Sequence, residues 1–370
     1  MDKYNIISAF NKWLSPIHLE KLSNSAQKEI SSFDAYRKKL DFKALLSLLL
    51  YAINEEKESL RDLSAALIHS PLQKETGLES ISHSQLSRSL NDLDSHVLEE
   101  SFQQLLQSAN EKTRPTKRNS LYLIDSSTFS LSLKRHQWAA FRKTKAGVKL
   151  HLTICFMDDE TMYPSDFTLT NANEHDVNQL EMLVNQAEAT YVFDRGYLDF
   201  ERMDQMHQEG YFFVTRIKKN TKYHVFEDFE TPSDQKTLIV SDQHVALGAK
   251  TSLTSRFRLI TIEDEKGKFL QFITNRFDLS AEEVAQAYKS RWQIELFFKH
   301  IKQHMTIKNF FSQSEIGVHN QLILTMIAAL LTFLIKLETK TVKSVFQIKR
   351  LFRYLIFQSF EEWFLRLVPS

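Results

Sequence analysis

Apolar residues recur every three to four positions in Phe42–Ile53 and again in Val97–Leu106, the spacing that gathers them on one side of an α-helix. Between them Leu60–Leu67 reads as further helix, followed by a loop carrying Pro71 and Gly77. Ser82-His83-Ser84-Gln85 then has the form of a capping box that opens a short helix through Leu93. Two short helices in this order fit a helix-turn-helix with Gln85, Arg88 and Ser89 facing DNA, and they fit a plain helical bundle equally well. Residues 1–112 are therefore expected to be all-helical, with Glu111–Ser120, charged and broken by Pro115, as a linker or a phosphate-touching loop.

After that stretch the period changes. Leu121–Ile124 runs straight into Asp125, and Val148–Phe156 and Met162–Leu169 alternate, so three consecutive strands are predicted. A helix over His175–Ala189, a strand Tyr191–Phe193 ending at Asp194, a helix through Gln208 and a strand Tyr211–Ile217 complete a mixed α/β layer pattern. Val225–Phe229, Thr237–Val240, Arg256–Glu263 and Phe269–Thr274 are strand-like, so 218–280 reads as a β-rich insertion. One helix is predicted over 282–305. The longest uncharged apolar run, Leu322–Ile335, covers fourteen residues, short of the ~20 that span a bilayer, and predicts a buried core helix and no membrane partner. The expected division is 1–112, 113–217, 218–280 and 281–370, the last completing the α/β core and adding C-terminal helices.

Composition narrows the class. With 370 residues, 42% of them hydrophobic, the chain can fill a sizeable core. Cys155 is the single cysteine, which leaves no intrachain disulfide and no cysteine-based zinc site and fits a reducing compartment. No secretory h-region is read near the N-terminus, so the expected location is the cytoplasm, at the nucleoid when DNA-bound. Seven scattered glycines make no phosphate-cradling loop. The net charge of +1 hides a segregation: 12 Lys/Arg face 16 Asp/Glu in 1–111, 10 face 1 in 112–150, 13 face 24 in 151–283, and 12 face 5 in 284–370. Basic segments inside a near-neutral chain are suited to holding a polyanion in one place.

The basic segments carry the candidate chemistry. On the 282–305 helix, Tyr288, Arg291, Glu295 and Lys302 project at about 0°, 300°, 340° and 320°, one narrow face, while Ala287, Ile294, Phe297, Phe298, Ile301 and Met305 form an adjacent apolar stripe. A carboxylate between cations can hold a divalent metal while the cations grip phosphates. The same pattern also fits surface pairs Arg291–Glu295 and Glu295–Lys299 at four-residue spacing. Asp125 and Asp194 each end an apolar run, and the carboxyl ends of strands in an α/β sheet are where sites form. Three carboxylates so placed suit two divalent ions about 3.5–4 Å apart.

These residues carry a resemblance. Asp125 within LIDSSTF, Asp194 within FDRGY, and the Y-x2-R-x3-E-x6-K pattern filled by Tyr288, Arg291, Glu295 and Lys302 resemble the IS4-family DDE transposases of bacterial insertion sequences, over about residues 120–310. The resemblance implies an RNase H-like mixed-sheet core, with the β-rich insertion and the N-terminal helical domain as a DNA-end-binding module. It implies Asp125, Asp194 and Glu295 as catalytic ligands of two Mg²⁺ ions, with Mn²⁺ as a substitute, and Tyr288, Arg291 and Lys302 as phosphate contacts. The implied activity is cleavage at terminal inverted repeats and joining to target DNA, with double-stranded DNA as partner and a homodimer on paired ends. An RNase H-like nuclease or resolvase without strand transfer, and a DNA-binding derivative without catalysis, are the alternatives; the intact acidic triad speaks against the second.

Further DNA contacts are expected at Lys299 and Arg88, at Arg195 beside Asp194, and at Trp138 with Arg142, Lys143 and Lys145, where basic residues interleave with an aromatic. For Arg195 the alternative is fixing the Asp194 carboxylate, and for Trp138 burial under the sheet. Tyr223, Phe226 and Phe257 are the insertion's candidates for stacking a base. His175-Asp176 is expected to cap a helix, and Asp158–Glu160 to form a solvated turn.

Overall fold

The structure, a computed structural model, describes residues 7–115, 120–230, 239–248, 255–305 and 309–367. Part of the expected linker, 116–119, and the start of the strand expected at Thr237 lie outside them. By contact the chain divides into a helical unit, Met1–Arg114, Phe129–Gly147 and Phe298–Ser370, and a sheet unit, Pro115–Thr128 and Val148–Phe297. The order of segments in the sequence is thus not the order of packing, because the C-terminal helices group with the N-terminal ones.

The helical unit begins with α1 (Ala9–Leu14), α2 (Asn24–Asp34), α3 (Phe42–Asn54), α4 (Leu60–Ala66), α5 (Ser70–Thr76), α6 (His83–Asn91) and α7 (Ser95–Thr113). Side chains stop the helix starts from fraying: Asp41 accepts the Ala44 N–H at 2.7 Å and Ser82 accepts that of Gln85 at 3.2 Å.

The middle of the chain runs through β1 (Leu121–Leu131), β2 (Ala140–Arg142), β3 (Lys145–Asp158), β4 (Thr161–Asn171), α8 (Leu180–Leu183), β5 (Thr190–Phe193), α9 (Phe200–Gln208), β6 (Phe212–Arg216), β7 (Tyr223–Asp228), β8 (Ile239–Leu247), β9 (Phe257–Glu263), β10 (Phe269–Thr274) and α10 (Ala281–Ser290); β2 falls in the helical unit and most of the rest in the sheet unit. Strands lie in the order β2-β3-β1-β5-β6-β10-β9-β8-β7, with β4 also on β3. The ladders β1–β5 and β5–β6 are parallel, while β6–β10 and the strands beyond are antiparallel. The β-rich segment therefore extends the same sheet. A buried pair pins it, Arg258 donating to Asp242 at 2.8 and 2.5 Å.

The chain ends with α11 (Trp292–His304), α12 (Glu315–Thr339), α13 (Val345–Leu355) and α14 (Phe360–Leu367). In the helical unit α12 packs on α1, α3, α6, α7 and α13. It is longer than its apolar run because its polar first turns are satisfied internally: Asn320 donates to Leu93 O at 2.8 Å and accepts from Ser95 at 2.8 Å. By length and composition α12 could cross a membrane, but almost all of it is buried among these helices.

Three sequence expectations are corrected. The single helix over 282–305 is two, α10 and α11, joined at Arg291 by i→i+3 bonds, Arg291 N–H to Tyr288 O and Ile294 N–H to Arg291 O. The helix expected over 175–189 shrinks to a 3₁₀ turn, Asp176–Gln179, and α8, because the Asn185 and Gln186 N–H groups donate to the Tyr191 hydroxyl instead. Asp125 does not end its strand, since β1 continues to Leu131.

Candidate acidic site

Asp125 and Asp194 meet because two short apolar strands pair in parallel. The β1–β5 register runs from Leu121↔Thr190 to Ile124↔Phe193 and stops, so the next residue on each chain is an aspartate. Leu123, Ile124, Val192 and Phe193 are fully buried, as a parallel ladder covered on both faces requires. Beyond Phe193 the chain leaves the sheet through the turn Arg195–Tyr197.

The joint between α10 and α11 supplies the remaining groups. Helix α10 packs over β5, β6, β8 and β10, and the Tyr288 ring lies 4.9 Å from that of Phe272. The Tyr288 hydroxyl is 3.4 Å from Asp194 Oδ1. Arg291, at the joint itself, reaches Glu295 Oε1 with Nη2 at 2.5 Å and Asp125 Oδ2 with Nη1 at 3.5 Å. One guanidinium thus ties Glu295 to Asp125, and one phenol reaches Asp194.

Burial is the largest influence on Asp125 and pushes its carboxyl up to about 6; Glu295 and Asp194 add to this, while the Ser126 N–H and Arg291 oppose it. Burial likewise raises the Tyr288 phenol. Burial works against the Arg291 cation, yet Glu295, Tyr288 and Asp125 hold its pKa above the usual arginine value. Its Nε is buried without a hydrogen-bond partner.

Among the described residues, no three acid, histidine or cysteine side chains converge closely enough to hold an ion as they stand. The donor set nevertheless fits Mg²⁺ in kind: all three groups are hard carboxylate oxygens, and Asp125 ionises at neutral pH only against a buried, like-charged setting that a cation relieves. Arg291 is the cation in contact with Asp125 and Glu295 here.

The other expected contacts fall in both units. Arg195 and Lys299 are exposed on the sheet and helical units respectively. In the helical unit the Lys302 ammonium lies 5.0 Å from the Phe129 ring, and burial lowers its pKa. Arg142, Lys143 and Lys145 are exposed on the β2–β3 hairpin, where Arg142 pairs with Lys145 across the ladder. Trp138 is half-buried and donates to Gln313 O at 2.8 Å. Arg88 is exposed on α6, but Ser89 is buried and takes a bond from Arg37, so it cannot face DNA. Phe257 is fully buried and no base can stack on it, whereas Phe226 is exposed beneath the Arg256 guanidinium at 4.0 Å. Asp158–Glu160 forms the turn between β3 and β4.

Sequence reasoning missed the role of Asp176. His175 makes no capping bond; Asp176 accepts the Ser126 hydroxyl at 2.7 Å and the Lys149 ammonium at 3.2 Å. The available signal was Ser126 itself, which follows Asp125 directly, and the polar Lys149 and His151 alternating with Val148, Leu150 and Leu152 on one strand.

The family described as "Transposase DDE domain" matches residues 116–331. The chain is 30% identical over 258 residues to a Geobacillus stearothermophilus protein named as the transposase for insertion sequence element IS5377, covering 69% of this chain and 67% of that one. It is 31% identical over 236 residues to a Sinorhizobium fredii protein named as transposase y4zB, covering 63% and 65%. A Synechocystis protein named as the transposase for element IS4SA is 27% identical over 150 residues, 38% and 39% of the two chains. Among solved structures, the piggyBac transposase in a synaptic complex with hairpin DNA superposes with a TM-score of 0.52 at 9% identity, covering 99% of this chain and 86% of that one. That likeness agrees with an RNase H-like fold for the mixed sheet.

Proposed function

Because this chain belongs to the transposase DDE domain family, we propose that it cuts DNA at the ends of a mobile element and joins those ends to target DNA, using Asp125, Asp194 and Glu295. The observation that carries the reading is the placement of Asp125 and Asp194 as the first residues past one parallel ladder, with Glu295 tied to Asp125 through Arg291.

The three carboxylates are the groups that would hold Mg²⁺ or Mn²⁺, two ions per site. Bound there, the metal supplies Lewis acidity that offsets charge on a phosphodiester and acidifies water. Arg291 contributes by exchange, since a guanidinium bonded to Glu295 and paired with Asp125 presents the same planar donors to a phosphate. Tyr288 orients Asp194 and offers its hydroxyl to a phosphate oxygen, while Lys302 adds a cation to the grip on DNA.

In the first step water replaces one ester oxygen at phosphorus and leaves a 3′-hydroxyl. In the second that hydroxyl attacks another phosphodiester, so one P–O bond forms as one breaks. Joining two ends calls for two protomers on paired DNA, an arrangement supported by the synaptic complex in which piggyBac transposase was solved. The location that follows is the cytoplasm, at the nucleoid.

The test mixes purified protein with the inverted repeats that flank its gene, target DNA and Mg²⁺. Cleavage with joining is expected. Cleavage alone would reassign the protein as a nuclease, and a shifted band without cleavage would leave a DNA-binding derivative.

A further inference from the structure

A half-buried polar network lies beside the two strand aspartates, and the mechanism above uses none of it. Its centre is Asp176, whose Oδ1 accepts the Ser126 hydroxyl at 2.7 Å and the Lys149 ammonium at 3.2 Å. Lys149 is held in turn by Glu174 O at 2.6 Å. His151, two residues along the same face of β3, is fully buried, with Nδ1 3.6 Å from Asp176 Oδ1 and without a hydrogen-bond partner. Tyr197, three residues past Asp194, is 1% exposed and its hydroxyl is also unpartnered, although burial together with Asp176, Asp125 and Asp194 drives its phenol pKa upward.

Two of these contacts lead to the acidic site. Ser126 is gripped from both sides: its hydroxyl goes to Asp176 and its N–H goes to Asp125 Oδ1 at 2.8 Å. On the other strand, the nearest side-chain atom to a Cβ built on Gly196 is Asp176 Oδ2, at 3.9 Å, so Asp176 also backs the turn that follows Asp194. Lys149 balances the Asp176 charge and by itself already clips this loop onto β3 through the Glu174 carbonyl, so that clip does not call for the Ser126 contact. A carboxylate that grips the residue after one aspartate and backs the turn after the other is placed as the groups that hold metal ligands in position are.

We propose that Asp176 is a positioning residue of the acidic site: through Ser126 and the Arg195–Tyr197 turn it sets the spacing of Asp125 and Asp194 at which a divalent ion binds. This rests on the preceding reading of those aspartates as metal ligands. Asp176→Asn keeps the volume and one acceptor oxygen, and Ser126→Ala removes one hydroxyl from the same link.

The experiment titrates Mn²⁺ into the full-length protein without DNA and follows free Mn²⁺ by electron paramagnetic resonance. Melting temperature in EDTA and binding to end DNA are measured on the same samples. Each variant is expected to weaken Mn²⁺ binding by roughly 10- to 100-fold, the double variant little more than either single one, with DNA binding unchanged. A purely structural role would instead lower the melting temperature and leave Mn²⁺ affinity intact; that result overturns the inference and spares the metal reading. Wild-type protein that takes up no Mn²⁺ overturns both. If Asp176→Asn fails to fold, Ser126→Ala decides alone, and wild-type affinity in it sinks the proposal.

Discussion

Replacing Asp125 by Asn tests the acidic site through stability instead of activity. Burial, reinforced by Glu295 and Asp194, takes this carboxyl from its ordinary 3.8 to about 6. At about 1.4 kcal/mol per pH unit, keeping it ionised above that value costs the fold about 3 kcal/mol. Asn has nearly the same shape, can still accept the Ser126 N–H, and carries no charge, so the cost disappears. The lost attraction to Arg291 is already contained in the shift. With 21% of the side chain exposed, solvent trims the gain, and roughly 1–3 kcal/mol is expected. The sign follows from linkage. The folded protein holds this proton to a higher pH than the unfolded chain, so the penalty is absent below about pH 4, about half developed at pH 5 and complete above pH 6–7. Melting in EDTA at pH 8 should rise by about 2–4 °C per kcal/mol, and the advantage should shrink at pH 5. Added Mg²⁺ should stabilise wild type and not the variant, because a ligand that binds only the folded state stabilises it. A variant melting below wild type at pH 8 in EDTA, or an advantage unchanged between pH 5 and 8, would refute the reasoning.

Glu295→Gln keeps the side chain's size and removes one of the three charges proposed to hold Mg²⁺, so cleavage of end DNA in Mg²⁺ should collapse while a gel shift shows binding nearly intact; cutting at the wild-type rate would return Glu295 to a helix-surface ion pair with Arg291. Arg291→Ala should weaken end binding and make log affinity less steep in log salt by about one unit, an unchanged slope counting against a phosphate contact. Arg258→Met strands Asp242, which is 4% exposed, without its partner and should lower stability by about 3–5 kcal/mol in denaturant titration; a loss below about 1 kcal/mol would mean that the pair holds nothing in place.

What the sequence made legible were elements whose burial shows in the chain itself. Leu121–Ile124 and Tyr191–Phe193 are short, wholly apolar runs, the mark of parallel strands covered on both faces, and each hands over to an aspartate where the ladder stops. The apolar stripe Ile294, Phe297, Phe298, Ile301 and Met305 is buried throughout, as its spacing indicates. Elements defined by polar partners were not legible in this way. β8 runs on to Leu247 past Asp242, and nothing local says that this aspartate is buried against Arg258. The helix expected to reach Ala189 fails after Leu183 because two N–H groups go to the Tyr191 hydroxyl and Glu188 takes a left-handed conformation at φ 63°. Tertiary hydrogen bonds there outweigh helix propensity, which is a weak preference.

The motif around Glu295 shows the same limit at closer range. A continuous helix at about 100° per residue places Tyr288, Arg291 and Glu295 on one face. At the α10–α11 joint the i→i+3 bonds wind the backbone nearer to the ~120° per residue of a 3₁₀ turn. The three side chains stay in contact but reach different strands: the Tyr288 hydroxyl goes to Asp194, while Arg291, beside the Tyr288 ring and bonded to Glu295, goes to Asp125. No glycine or proline in KSRWQ announces the joint, so the Arg291–Glu295 pair followed from spacing while the reach of Arg291 to Asp125 and of Tyr288 to Asp194 did not. The joint also accounts for the position of Arg291. A guanidinium in mid-helix would bond its i+4 acid and face solvent, whereas here the same Glu295 contact is kept and a second arm reaches Asp125. That second contact is what lets one residue compensate both acids.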